Sequence, residues 1–388
     1  MEKVKLSKIR DLCEKTFNIN WKNNKEEIFE YIDLSAVSRE KLLIFESSKV
    51  DINNAPSRAK QIIRTNDILF ATTRPTLKRI AIVPKEYDKQ ICSTGFAVLR
   101  IKNNLAVFKY IFYLLQTVKF IQRMEDVQRG ASYPAVSNKD IMDFKIPLPS
   151  LDKQKTIAQT LDKAKELIEL RKTSIKKLDE LSKSVFIDMF GDPVENPMGW
   201  TDSRLGELIH SAKDGPHESP KYSDEGIPFL SARHVRPNKM IWNDLKYIDR
   251  ETAERYWKKC KPEIGDILYS KGGTTGFAVS VNTDKDFAIW VHIALLKPIH
   301  ENVNYIWLER MLNTSYCYSQ SQHLTKGIAN KDLGLKRMVN IKMYLPPIDL
   351  QNKFAKTIQK IEIQKALYEK ELVKLEENFE ALLAKSFG

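Results

Sequence analysis

The chain has 388 residues, 42% of them hydrophobic, and a formal net charge of +13. That length accommodates two to three domains with packed cores, and the basic balance favours a polyanionic partner. The cysteines Cys13, Cys92, Cys260 and Cys317 are widely spaced, which argues against a disulfide framework or a zinc ribbon, and the stretch from Phe108 to Ile121 is too short and too charged to cross a bilayer. The first residues carry no apolar leader, so a cytoplasmic protein without membrane attachment is expected.

Taken in chain order, residues 1–150 read as a first globular domain, and the cationic excess is concentrated there. Its central strand signal is Asn66-Asp67-Ile68-Leu69-Phe70, followed by the polar loop Thr72-Thr73-Arg74-Pro75-Thr76-Leu77-Lys78-Arg79 and a strand-like run from Ile80 to Val83. An amphipathic helix is predicted near 106–127, with Arg129-Gly130 as its C-terminal stop. The hinge Ile146-Pro147-Leu148-Pro149-Ser150 then leads into a long helix over 151–191, with Asp152 as N-cap candidate.

Residues 192–345 read as a second globular domain. Gly265-Asp266-Ile267-Leu268-Tyr269 is its strand signal, and Ser270-Lys271-Gly272-Gly273-Thr274-Thr275-Gly276 is its loop. A helix is predicted near 303–322 with Lys326-Gly327 as its stop, and Leu345-Pro346-Pro347-Ile348 opens a second long helix over 346–388, with Asp349 as cap candidate. Short strands broken by Gly, Pro and Asn or Asp, together with these helices, make each domain α+β.

The two halves repeat. Adding 197 carries Lys145 to Lys342, Pro149 to Pro346, Gln154 to Gln351, Leu178 to Leu375 and the closing Phe190-Gly191 to Phe387-Gly388. Within the long helices the apolar residues Ile157, Leu161, Ala164, Ile168, Ile175, Leu178 and Val185 follow a seven-residue repeat. Phe354, Ile358, Ile361, Leu372, Leu375, Phe379 and Leu382 do the same. One narrow stripe of that kind must be buried against another helix, which predicts a coiled coil, each rod roughly 55 Å long. The plainer alternative is that each helix packs on its neighbouring domain. Arg171 and Lys365 interrupt the stripe and mark either a loosened stretch or an entry point for another subunit's acidic groups.

Candidate contacts for a polyanionic partner are Arg74, Lys78 and Arg79 in the first domain, and Lys271, Thr274 and Thr275 in the second. The cluster Ser231-Ala232-Arg233-His234-Val235-Arg236-Pro237-Asn238-Lys239 adds Arg233, His234 and Arg236. These are donors on loops, suited to phosphates or base edges if the partner is a nucleic acid, although the favoured reading of each single residue is a solvated turn position and the loop as a whole is the stronger candidate. The glycine-rich loop lacks the phosphate-binding pattern of nucleotide-binding loops, and the six histidines show no metal-ligand spacing, so no metal is expected. Trp290-Val291-His292 reads as core strand. Asp266, with Glu263 and Lys271, could be drawn as a nuclease cluster, but it reads as a solvent-exposed turn carboxylate. No catalytic residue is assigned.

The order of variable domain, proline hinge and long heptad helix closing on Phe-Gly, repeated once, with a Gly-Asp-Ile-Leu type strand in each domain, resembles the specificity subunit of type I restriction-modification systems. Asn66 stands where that family usually has glycine. The resemblance implies two target recognition domains, each reading half of a bipartite DNA target. It also implies that the two helices pair antiparallel as a spacer, with a pseudo-twofold relation between the halves. Two modification subunits carrying S-adenosylmethionine are expected to dock on the helices and methylate adenine, with restriction subunits joining them, and no cofactor is expected in this chain. A solitary DNA-modifying or DNA-cleaving enzyme that dimerises through its helices is the alternative, and a coiled-coil scaffold without DNA is a third.

Overall fold

The computed structural model describes residues 5–21, 27–327 and 331–388. It forms two compact units, Met1–Lys172 with Lys370–Gly388, and Thr173–Glu369.

In the first unit the opening strand Lys5–Lys8 pairs antiparallel with Lys145–Leu148, the strand that runs into the hinge. Between them lie a four-stranded sheet in the order Ser48–Asp51, Ile28–Ile32, Ile91–Ser93, Ala59–Ile62, and a three-stranded sheet with Ile68–Ala71 at its centre. Ile68–Ala71 is buried on both faces, as its unbroken apolar run requires. Its side chains alternate. Ile68 and Phe70 enter the core beneath the helices, and Leu69 and Ala71 enter a second core on the opposite face.

The second unit repeats this plan with a longer sheet. Ile209–Asp214, Ile293–Pro298, Ile267–Ser270 and Ala278–Ser280 lie side by side, and Thr201–Arg204 pairs with Lys342–Leu345 as the hinge clasp. Ile267 and Tyr269 again face one core and Leu268 another.

Several expectations are corrected. The helix predicted over 106–127 is two, Phe108–Leu114 and Val118–Val127, because the Thr117 hydroxyl accepts from the Phe120 amide and starts a new helix. Thr314 does the same between Tyr305–Leu312 and Ser315–Leu324. Gly130 and Gly327 do not stop these helices, which end at Val127 and Leu324. They sit in the following loops with φ of 96° and 92°. Asp266 is buried, not exposed: its carboxylate accepts from the Glu263 amide at 2.8 Å and pairs with Lys297 Nζ at 2.9 Å. Asp67 repeats the arrangement with Arg100, whose Nε and guanidinium terminus donate to it at 2.9 and 2.7 Å. Trp290-Val291-His292 forms a turn between two strands, with His292 exposed.

The long helices run Leu151–Phe190 and Ile348–Phe387, 40 residues each. Asp152 and Asp349 lie inside the first turn and are not caps. The Ser150 hydroxyl accepts from the Lys153 amide at 3.4 Å, and the acids instead complement the positive end of the helix dipole. Gln154 fixes the first helix to its domain by accepting from the Val107 amide at 2.9 Å and donating to the Pro149 carbonyl at 2.9 Å. Gln351 does the same with Asn304 and Pro346 at 2.8 Å each.

In the first unit the beginning of the first long helix pairs with the end of the second. Leu161, Leu383 and Phe387 share one core, and Arg171 reaches Glu371 at 2.8 Å. In the second unit the end of the first pairs with the beginning of the second: Phe186 meets the Phe354 ring at 5.6 Å, and Lys365 reaches Asp179 at 2.5 Å. Residue numbers rise along one helix as they fall along the other, so both stretches are antiparallel. Leu161, Ile168, Phe354, Ile358 and Ile361 are buried; Ile157, Ala164, Ile175, Leu178, Val185, Leu372, Leu375, Phe379 and Leu382 are half-buried. Arg171 and Lys365 mark no loosened stretch, since each meets a carboxylate of the opposite helix. The phenylalanine of each closing Phe-Gly is buried, Phe387 against Tyr110 at 4.9 Å in the first unit and Phe190 against Trp307 at 6.4 Å in the second.

Candidate nucleic-acid interface

The loops after the central strands hold the first set of candidate contacts, and the backbone anchors the start of each loop in the same way in both units. In the first unit, Thr72 donates its amide to the Gly95 carbonyl and accepts from the Val136 amide, both at 2.9 Å, while the Arg74 amide donates to the Pro134 carbonyl at 2.6 Å. In the second, Lys271 donates to His292 at 2.9 Å and accepts from Leu333 at 2.8 Å, and Gly273 donates to Lys331 at 3.0 Å. A second loop, 128–136 in one unit and, among the described residues, 326–327 with 331–333 in the other, is thereby stitched to the first. It is itself closed by reciprocal amide bonds between Arg129 and Ala135, or Lys326 and Asp332. Thus the residues read as helix stops in fact belong to a two-loop frame.

The side chains on this frame differ between the units. In the first, Arg74 adopts the left-handed conformation, φ 51°, and is exposed. Its guanidinium lies 5.4 Å from the centroid of the Tyr133 ring, which is 74% exposed. Lys78 is also left-handed and half-buried, and Arg79 donates to the Leu34 carbonyl, which ties the end of the loop to the 3-10 turn Leu34–Ala36.

In the second unit Lys271 is only 7% exposed at its side chain, between Asp214 at 3.4 Å and Asp332 at 3.3 Å. Burial pushes the Asp214 carboxyl up, but Lys259, Lys271 and His217 more than offset it and hold it below the usual carboxylate range. Thr275 is buried and accepts from Gln322 at 3.3 Å, so Thr274 is the outward member of that pair. His234 is buried: its Nδ1 accepts from the Ser231 amide at 2.9 Å, and burial with Arg233 beside it lowers its pKa. Arg233 is exposed and donates to the Asp244 carbonyl at 2.6 Å. Arg236 lies on a two-stranded ribbon, Val235–Arg236 with Lys239–Met240, joined through the Asn238 amide to the Ala278 carbonyl at 3.1 Å, just past the loop.

Lys271, Thr275 and His234 therefore have partners within the domain, while Arg74, Thr274 and Arg233 face outward. Tyr133 and Lys331 are exposed residues of the second loop that sequence reasoning passed over, and Arg129 and Lys326, read there as helix stops, are exposed in the same loop. The signal for them was the aperiodic polar stretch after each second helix, repeated at the same spacing. Among the described residues no group of His, Cys, Asp and Glu could hold a metal ion, and no helix is long and apolar enough to cross a membrane.

A basic two-fold repeat with the same loop frame and different outward side chains is the architecture of a recognition module that presents two distinct surfaces. The model of the type I restriction modification DNA specificity domain matches residues 1–180 and 197–377, and the chain belongs to that family, the non-catalytic DNA-recognition component of such systems. It is 24% identical over 335 residues to the type I restriction enzyme MjaIX specificity subunit of Methanocaldococcus jannaschii, covering 82% of this chain and 76% of that one. It is also 24% identical over 258 residues to the HindI specificity subunit of Haemophilus influenzae, covering 62% and 56%. A solved chain from work on complex assembly and conformational transition of the type I restriction-modification system superposes with a TM-score of 0.63 at 26% identity, covering 99% of this chain and 97% of that one. The S subunit from M. genitalium shares the fold, with a TM-score of 0.60 at 16% identity.

Proposed function

We propose that residues 1–150 and 192–345 are target recognition domains that each read one half of a bipartite, asymmetric duplex DNA target through the two-loop frame. Residues 151–191 and 346–388 then act as spacer helices that set the gap between half-sites and dock two modification subunits. S-adenosylmethionine is held by those subunits, and restriction subunits join the same core. The observation that carries this reading is the conserved backbone frame with unlike exposed residues, Arg74 and Tyr133 on one copy, Thr274 and Lys331 on the other. A scaffold used twice with the same side chains would read a palindrome. Used with different ones, it reads two different sequences.

Among the sequence candidates, Arg74, Lys78, Thr274, Arg233 and Arg236 remain available for direct contact. Arg79, His234, Lys271 and Thr275 contribute by holding the loops and turns in shape. The solitary-enzyme alternative gains no support from the family to which the chain belongs.

The test is to co-express the chain with its modification subunit and sequence the methylated positions in cellular DNA. A split, non-palindromic motif with a fixed unread gap is expected. Methylation by this chain alone, or a continuous palindromic motif, would overturn the reading.

A further inference from the structure

We infer that Tyr133 makes direct base contact in the first half-site and that Arg74 is the residue that holds its ring in position. The inference rests on the DNA-reading role proposed for the loop frame and assigns a particular residue to it.

Three observations carry it. First, a tyrosine ring 74% exposed at the tip of a loop is uncovered by its own domain. The loop beneath it is nevertheless fixed, by the Arg129–Ala135 amide pair and by Arg74 to Pro134. Gly130, φ 96°, makes that tight return possible: a Cβ there would lie 3.0 Å from the Tyr133 carbonyl oxygen, so a side chain at 130 would crowd the loop backbone.

Second, the Arg74 guanidinium sits 5.4 Å from the Tyr133 centroid, and the Ser132 carbonyl lies at the edge of hydrogen-bond range, 3.5 Å away. The cation braces the ring, and the residue as a whole stays 74% exposed.

Third, the matching position of the other unit is Gly273, in the same left-handed conformation with φ 71°, where an added Cβ would meet no atom within 4 Å. The backbone conformation at this point suits glycine, and the second unit has it. The first unit instead tolerates an arginine there, against the preference of L-residues for right-handed backbone. Nothing in the frame requires a side chain at this position, since Gly273 makes the equivalent amide bond without one. The arginine therefore serves what lies outside the frame.

Aromatic contact with bases, and a tyrosine hydroxyl reaching base-edge donors or acceptors, discriminate sequence in a way that a lysine on a phosphate cannot. The pair would read part of one half-site only, since the second copy of the frame has no arginine at its Gly273 position.

The experiment is selection from a randomised duplex pool by the chain assembled with its modification subunit, followed by affinity measurement on the wild-type target. Tyr133→Ala is expected to erase preference at one or two adjacent positions of a single half-site. Affinity for the wild-type target should fall about tenfold, the order expected for loss of one base-contacting side chain, and the other half-site should stay unchanged. Arg74→Gly is the stricter variant: it relieves the left-handed backbone, so the melting temperature should hold or rise while discrimination at the same positions weakens. The inference fails if Tyr133→Ala selects the same motif with affinity within twofold, or if affinity drops equally on all sequences. It also fails if the lost positions fall in both half-sites, or if Arg74→Gly lowers stability and leaves the motif intact. If the unaltered assembly itself selects no motif, the DNA-reading proposal has failed, which is a separate result.

Discussion

Asp67 and Asp266 stand at the mouths of the two central strands, each capping a turn and each paired with a cation of the adjoining strand, Arg100 or Lys297. The Asp67 pair is the more enclosed, with side-chain exposures of 1% and 9%, and it is bidentate. Removing one member of such a pair leaves a buried charge without its partner, a loss of roughly 3–5 kcal/mol. Asp67→Ala should therefore lower the urea midpoint of the first unit sharply, and Lys297→Ala, which leaves the buried Asp266 without its cation, should do the same in the second; urea denaturation of the two variants checks both. The aspartate in the strand motif could be recognised in the sequence, but its burial could not. Its partner lies about thirty residues away, and an acid beside glycine or asparagine in a turn looks solvated until the neighbouring strand is placed next to it.

At the scale of elements, the long helices were the most legible part of the chain, because a seven-residue stripe is a local pattern and the proline hinges mark where it begins. The closing phenylalanines carry more than the stripe indicates. Phe387 is 6% exposed, in a core with Tyr110, Leu161 and Leu383, at a point where the second long helix completes the first unit. Truncating a buried phenylalanine costs about 3–5 kcal/mol. Phe387→Ala should thus increase amide exchange in Phe108–Leu114 and Leu151–Leu161, with the second unit unaffected. Uniform exchange changes across both units would contradict this. The shorter helices were misread as one because a threonine within an amphipathic run looks like an ordinary surface residue. Only its hydroxyl bond to the amide three residues on reveals a new start. The two-loop frame was invisible for a different reason: its bonds join segments some sixty residues apart, and neither segment has a periodicity to detect.

For the molecule as a whole, two units that each combine a reading domain with parts of both helices make the helices a candidate ruler. One heptad inserted at matched places in both should lengthen the spacer by about 10.5 Å, or roughly three base pairs at 3.4 Å each. The methylated motif should then show its gap changed by about that amount and its half-site bases retained. An unchanged gap would mean that something other than helix length sets it. The basic excess concentrated in residues 1–150 and the repeat at 197 were enough to indicate a double-headed polyanion binder, whereas which side chains face outward became apparent only once the loops were seen tied together.

The packing of Phe387 beneath Tyr110 also bears on how the protein is made. A ribosome delivers the first domain long before the last forty residues, so during most of translation that domain lacks the helix end that seals its floor. The core around Tyr110 can be completed only once Leu383 and Phe387 have left the exit tunnel. The second unit waits less, because Phe186 and Phe190 are synthesised ahead of the domain they seal and Phe354, Ile358 and Ile361 follow directly after it.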